Sequence, residues 1–321
     1  MSFIKQCAMF VLCAVTVLAS ISPATANNYT HAPTPAVPEV QVETESNAPE
    51  AEAETEPKQE LAALPEIEVK SAQSDWPVSV WLNGEEMALM IPTILNNGIT
   101  YVSIGDFCSL MDCEISFEGE AFTAIRGQEL EISCESGNFY LLANERAIYM
   151  GSECFVQGNE LMVPVRAMAT VFALDLEWNG DERRIDLSGG GVLESGDTFY
   201  NEKDLYWLSR IINAEARGES FIGQIAVGNV VLNRVKSSEY PSTIYGVIFD
   251  RNNGVQFTPI SDGSIYLEPY DSCVIAAKLC LEGIKDYSNG AIYFISDKVK
   301  SCYATIHCEK VATIGGHRFY A

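Results

Sequence analysis

Basic side chains are scarce in this chain of 321 residues: 20 lysines and arginines stand against 44 aspartates and glutamates, a formal net charge of −24. A surface so short of positive charge excludes a basic nucleic-acid-binding face as the main business of the protein. Histidine is scarcer still, with three in the chain and none between Asp75 and Tyr200, so that stretch has no imidazole to offer a metal. No CxxC pair occurs among the ten cysteines, which removes the usual zinc frameworks. Long apolar runs are also missing. Ala8 to Ile21 falls short of the ~20 residues that cross a bilayer as a helix. With Lys5 before it and Ala24-Thr25-Ala26 after it, it reads as a secretory signal over residues 1–26, so the mature protein is expected to be exported without a permanent membrane anchor.

What remains divides by composition. Residues 27–74 hold ten glutamates, two lysines and six prolines with few large apolar side chains, a mixture expected to stay disordered as an acidic linker. From Asp75 the chain turns strand-rich, and residues recur at an offset of 61: Asn83 with Asn144, Val102 with Val163, Ile104 with Val165, Phe117 with Trp178, Gly119 with Gly180. Such spacing predicts a module built twice, over residues 75–188, each copy running strand, strand, short helix, strand. Residues 189–200, opening on three glycines, are expected to be a hinge. Residues 201–321 form the second domain. Residues 75–200 carry 21 acidic and 5 basic groups, net −16, and residues 201–321 carry 13 and 12, net −1.

The last 121 residues carry the chemistry. Asp204 to Gly218 can be drawn as one helix on which Leu205, Trp207, Leu208, Ile211, Ile212 and Ala216 share an arc, with Arg210, Asn213 and Arg217 opposite. Glu215 falls inside the apolar arc. A carboxyl group in apolar surroundings has its pKa raised, which suits a general acid working near neutral pH. The competing reading is a buried structural glutamate paired with an arginine such as Arg234. The next helix, roughly Phe221 to Val235, is apolar almost all round, with Gly228 permitting close approach of a neighbour; Asn229 and Asn233 interrupt it on one face. Both asparagines serve by default to satisfy buried backbone groups, and Asn233 is a candidate for holding a sugar. Gln256, Phe257, Tyr293 and His317 are further candidates for sugar contact.

Two resemblances complete the reading. Val163-Pro-Val-Arg-Ala-Met168 and Leu176-Glu-Trp-Asn179, within the repeat, resemble the copper amine oxidase N-terminal-like domain. That domain is a wall-binding module or a stalk. Ile211-Ile-Asn-Ala-Glu-Ala-Arg-Gly-Glu219, Gly223 to Val227, Val231 to Val235, Gln256-Phe257, Asn289 to Phe294 and Ile314 to Phe319 resemble, in order, the spore cortex-lytic, SleB-type cell-wall hydrolase family. This resemblance implies an α+β architecture, with a small lysozyme-like catalytic domain after the two-repeat module. It also implies cleavage of peptidoglycan glycan strands in the cell wall or spore envelope, with Glu215 as the catalytic acid. Glu219 is the rival, but past Gly218 and near the start of the next helix it reads as structural.

A glycosidase usually needs two carboxylates. The remaining acidic residues, Asp262, Glu268, Asp286 and Asp297, lie in polar stretches. A single-glutamate lytic transglycosylase, needing no metal or cofactor, is therefore the expectation. A hydrolytic muramidase with a second carboxylate and a non-catalytic peptidoglycan-binding protein are the alternatives. The eight cysteines after the signal are expected to pair within each half, Cys302 with Cys308 first, whereas Cys273 and Cys280 on one helix are too far apart to bond directly.

Overall fold

The computed structural model describes residues 78–119, 121–252 and 256–321; the expected signal and acidic linker lie outside them. The described chain mixes helix and strand, strand-rich up to Gly189 and helical after it. The repeat is visible in the fold. Strand Ile99–Ser103 and helix Ile104–Leu110 recur as Glu160–Pro164 and Val165–Val171. The two central strands pair antiparallel with Val102 opposite Val163, so equivalent residues face each other across a local two-fold axis. Asn83 and Asn144 both take left-handed backbone, with φ of 52° and 47°, a conformation asparagine tolerates better than most residues. Each amide then seals a neighbouring strand. Asn83 exchanges two hydrogen bonds with Gly189, at 3.0 and 3.2 Å. Asn144 accepts from Glu131 N and donates to Glu129 O.

Three helices make the frame of the C-terminal part: Glu202–Ala216, Phe221–Lys236 and Asp271–Leu281. Asn201 and Ser220 cap the first two by accepting from Asp204 N and Gly223 N, which satisfies backbone donors that a helix start leaves open. Gly228 lies where the three helices converge. A Cβ there would come within 2.7 Å of Cys280 Sγ and 2.9 Å of Ile212 Cδ1, so the close approach expected from the sequence is real. The face of the first helix expected to be polar is covered too. Asn213 is buried and accepts from Tyr270 N at 3.2 Å, and Arg210 donates to Leu267 O and Glu268. A three-stranded sheet follows, with His317–Tyr320 between Tyr293–Ser296 and Lys310–Ile314.

The repeat module and the helices share a core. Ala147 is fully buried with Leu208, Ile211 and Ala276, and Phe139, Tyr140, Leu142 and Tyr149 pack against the same cluster. The Phe221 ring lies 5.7 Å from that of Phe139 and 5.6 Å from that of Tyr140. Within this interface Arg146 forms a two-pronged pair with Glu282, both bonds 2.7 Å. In residues 189–200, the stretch expected as a hinge, a helical turn Gly196–Phe199 precedes Tyr200. The Tyr200 hydroxyl accepts from Ala147 N and donates to Glu282, and the Phe199 ring covers the Arg146 guanidinium.

All eight described cysteines are free thiols. The expected Cys302–Cys308 bond is not formed; the two flank the helical turn Tyr303–His307. Cys134 and Cys154, by contrast, bring their sulfurs to 3.7 Å inside the module.

The Arg146–Glu282 pair yields a prediction. Side-chain exposures of 11% and 10% place it out of water, where removing one partner strands the other charge at a cost of roughly 3–5 kcal/mol. Arg146→Met should lower the free energy of urea unfolding by about that much, and adding Glu282→Leu should restore part of the loss. A single variant as stable as the parent would show that the interface contributes nothing.

Candidate active site

Glu215 sits in the last turn of helix Glu202–Ala216, half-buried beside Ala216. The turn is there because Leu208, Ile211 and Ile212, fully buried, fasten that face against the other helices. Among the described residues no side chain or backbone group hydrogen-bonds its carboxyl, and no cation pairs with it within ion-pair distance. Burial dominates its titration. The group is pushed up to about 7, with the charge of Asp262 raising it further and that of Arg234 pulling it down. It can therefore hold a proton near neutral pH and release it, as an acid–base catalyst must. Asp262 itself is held below the usual carboxylate range by hydrogen bonds from the Ser264 hydroxyl and backbone.

Arg234 gathers several candidates around it. It lies on the Phe221–Lys236 helix, 4% exposed, and its Nε donates to Ile292 O at 2.7 Å. Its guanidinium stands over the rings of Tyr240 and Phe257, both at 5.1 Å, and Tyr293 at 5.6 Å. Desolvation lowers its pKa, opposed by the surrounding tyrosines, Asp250 and Glu215. The ion pair with Glu215 offered by the structural reading is not formed; the two act on each other through space.

Phe257 is only 2% exposed and belongs to the core, whereas Tyr293 is half-buried with its ring 6.2 Å from that of Tyr303. The Asn233 amide donates to Asp286, Ser288 and Ala291 O, holding the turn before the sheet. Asn229 accepts from Tyr287 N. Gln256 is half-buried. His317 has a side chain 12% exposed, 3.7 Å from Glu219, and burial lowers its pKa. Glu219 accepts from Gly316 N at 2.8 Å. Gly315 takes a left-handed φ of 53°, and a Cβ on it would run into the Glu219 carboxylate, so the paired glycines before His317 make the seat for Glu219. Arg234 was expected only as a structural partner for Glu215, and Tyr240 was missed. Tyr240 had no signal, but an arginine on an otherwise apolar helix was a visible one. Among the described residues no three histidine, cysteine or acidic side chains gather into a group that could hold a metal ion.

Comparison with known proteins finds relatives for both parts of the chain. Residues 218–320 match the family described as Cell Wall Hydrolase, and residues 81–187 match the copper amine oxidase N-terminal domain. The C-terminal part of this chain is a homologue of the cell wall hydrolases. A spore cortex-lytic enzyme from Oceanobacillus iheyensis is 33% identical over 156 residues, covering 44% of this chain and 55% of the relative. One from Bacillus cereus is 34% identical over 120 residues, covering 37% and 45%. The chain thus spans about half the length of the curated relatives it matches. A solved catalytic domain of a germination-specific lytic transglycosylase, SleB from Bacillus anthracis, is 33% identical, covering 38% of this chain and 97% of that one, with a TM-score of 0.34. Among the described residues no helix of this cell wall hydrolase homologue is long and apolar enough to cross a membrane.

The raised titration of Glu215 links stability to pH. Unfolded, the carboxyl titrates near ~4.3; folded, it titrates at about 7. Between these values the folded state binds more protons, so the contribution of this group to stability is full below ~4.3, drains away as pH climbs to 7, and stays absent above. Glu215→Gln should therefore unfold at higher urea concentration than the parent at pH 8 and show a smaller or no advantage at pH 4. Equal differences at both pH values would show that the group is not perturbed.

Proposed function

We propose that this protein is a lytic transglycosylase that cleaves the glycan strand of peptidoglycan, with Glu215 as its single acid and base and the spore cortex as its wall. The observation that carries the reading is Glu215 itself, a half-buried carboxyl without a hydrogen-bond partner among the described residues, titrating at about 7. The names of its relatives, spore cortex-lytic enzyme and germination-specific lytic transglycosylase, support the choice of wall and chemistry.

In the proposed reaction the protonated Glu215 gives its proton to the glycosidic oxygen following an N-acetylmuramic acid residue, and the bond from that oxygen to C1 breaks. The carboxylate then takes the proton of the same sugar's C6 hydroxyl as its oxygen closes onto C1. One glycosidic bond is lost, one intramolecular ether is gained, and Glu215 ends protonated again. The products are a 1,6-anhydro end and a free 4-hydroxyl, with no water consumed. This single-carboxyl scheme is favoured over paired carboxylates because Asp262, the acidic residue that acts on Glu215, is committed to Ser264 and fully exposed.

The substrate is a glycan strand, and the remaining elements suit that assignment. The domain is near neutral, with 13 acidic and 12 basic groups over residues 201–321, and needs no charge attraction to approach an anionic wall. The repeat module, at net −16 over residues 75–200, would be repelled by such a wall and is proposed as a fixed support for the hydrolase domain. The described residues contain no bilayer-spanning helix, and the protein is proposed to act outside the cytoplasm.

The test uses the full mature chain with purified peptidoglycan and mass analysis of the released muropeptides. Anhydro ends are expected from the parent, and less than a tenth of that rate from Glu215→Gln. Products heavier by one water would identify a hydrolytic muramidase, and binding without any release would leave a binding protein.

A further inference from the structure

Two buried thiols of the repeat module face each other and take no part in the proposed reaction. Cys134 lies on strand Leu130–Glu135, where alternation turns it inward with Leu130 and Ile132. Cys154 lies in the segment between strands Arg146–Tyr149 and Phe155–Gln157. They are 5% and 1% exposed, twenty positions apart in the chain, with their sulfurs 3.7 Å apart. The backbone fixes this meeting. Cys154 N donates to Asn138 O at 2.9 Å and Gly137 N donates to Cys154 O at 3.0 Å, so the chain at Cys154 is strapped to the turn that follows Cys134. Bonded sulfurs stand ~2.05 Å apart, so closure asks for an approach of about 1.7 Å, which small rotations of the two side chains supply. A lone buried cysteine is ordinarily a small apolar filler; two held sulfur to sulfur by crossed backbone bonds are set for more than filling. Cys108 and Cys113 also meet through their sulfurs, around the end of helix Ile104–Leu110, but a loop so short constrains little when closed.

We propose that Cys134 and Cys154 are an oxidation site, joined by a disulfide oxidant into a structural disulfide that fixes the part of the module on which the hydrolase domain is mounted. The assignment stands apart from the catalytic reading. Strand Arg146–Tyr149 delivers Ala147 and Tyr149 to the core shared with the helices and Arg146 to Glu282, and the segment holding Cys154 follows it directly. On its other side that strand is joined to Leu130–Glu135 through Tyr140–Ala143. A bond from Cys154 to Cys134 therefore closes a ring of chain around the mounting strand. The oxidant is a second disulfide, of the kind present outside the cytoplasm. The Cys154 thiolate attacks one sulfur of it and expels the other as a thiolate; Cys134, giving up its proton, then attacks Cys154 Sγ and expels the remaining half. One S–S bond is made in the protein and one is broken in the oxidant, which gains two electrons and, on its released halves, the two thiol protons. Cys154 is suited to attack first. Its thiol is held below the ordinary cysteine range by the hydrogen bond with Cys134, aided by the N–H groups of Gly137, Asn138 and Cys154 itself and opposed by burial. Since both sulfurs are out of water in the folded chain, the exchange belongs to folding, before the strands close over them.

The experiment refolds the full mature chain from urea in a mixture of oxidised and reduced glutathione, alkylates the remaining thiols under denaturing conditions, and maps the peptides by mass without reduction. Cys134 and Cys154 are expected in one linked pair of peptides, lighter by a pair of hydrogen atoms than the two thiol peptides together. Finding both alkylated, or either joined to another cysteine, would overturn the proposal. Urea unfolding then measures what the bond holds. Adding dithiothreitol throughout should lower the midpoint of the parent by about 1 M, the effect of one such cross-link on a domain of ordinary urea sensitivity. In a protein carrying both Cys134→Ala and Cys154→Ala the reductant should have little effect. A fall in the double variant as large as in the parent would show that the bond supports nothing, and would overturn the structural role. If the double variant does not fold, the peptide map of the parent decides alone.

Discussion

The C-terminal domain is organised around the cost of keeping a carboxyl group among apolar side chains. Glu215 is half-buried on the helix that carries the fully buried Leu208, Ile211 and Ile212. The helix cannot rotate to relieve it, because its other face is fastened by Asn213 to Tyr270 and by Arg210 to Leu267 and Glu268. Gly228 holds the second helix close to Ile212. The strain is therefore borne by protonation. A group that can neither leave nor find a partner keeps its proton to higher pH.

The same rigidity extends into the repeat module. A flexible tether would leave the two parts with separate cores, but Ala147 sits in the core of the helices and Glu282 reaches back to Arg146 and Tyr200. Charge explains why this contact takes a paired form. The module is strongly acidic, and a carboxylate such as Glu282 approaching it would be repelled unless a cation were placed to receive it; Arg146 is one of only five basic groups over residues 75–200. Phe199 over the guanidinium and Tyr200 on the carboxylate complete the shell. A desolvated ion pair of this kind contributes register more than net stability.

The repeat and the main helices were legible because they are written in local terms. An offset of 61 appears in the sequence and returns as strand Ile99–Ser103 against Glu160–Pro164, and the apolar arc that predicts helix Glu202–Ala216 also singles out Glu215. What was not legible depends on contacts far apart in the chain. Helical periodicity made the face of Arg210 and Asn213 polar, since it carries no information about the segment near Leu267 that covers it. Phe257 read as a sugar platform because exposure cannot be inferred from residue type, and it is core. Asn233 lies on the expected helix, yet its amide is taken up by residues 286–291, more than fifty positions on. The segment 189–200 reads as flexible by composition, whereas Tyr200 is anchored by partners at positions 147 and 282.

The electrostatics of the site are a balance and not a single effect. Burial drives the titration of Glu215 upward as the carboxylate loses its water, and the charge of Asp262 adds to that. Arg234 supplies the opposing force, favouring the carboxylate by its charge while remaining too far to form an ion pair. Direct pairing would have fixed Glu215 in its charged form. Arg234 can keep its distance because Ile292 O and three aromatic rings hold it. Arg234 thus lowers the titration of Glu215 by its charge while its own guanidinium stays held by the backbone and the rings, so neither group neutralises the other.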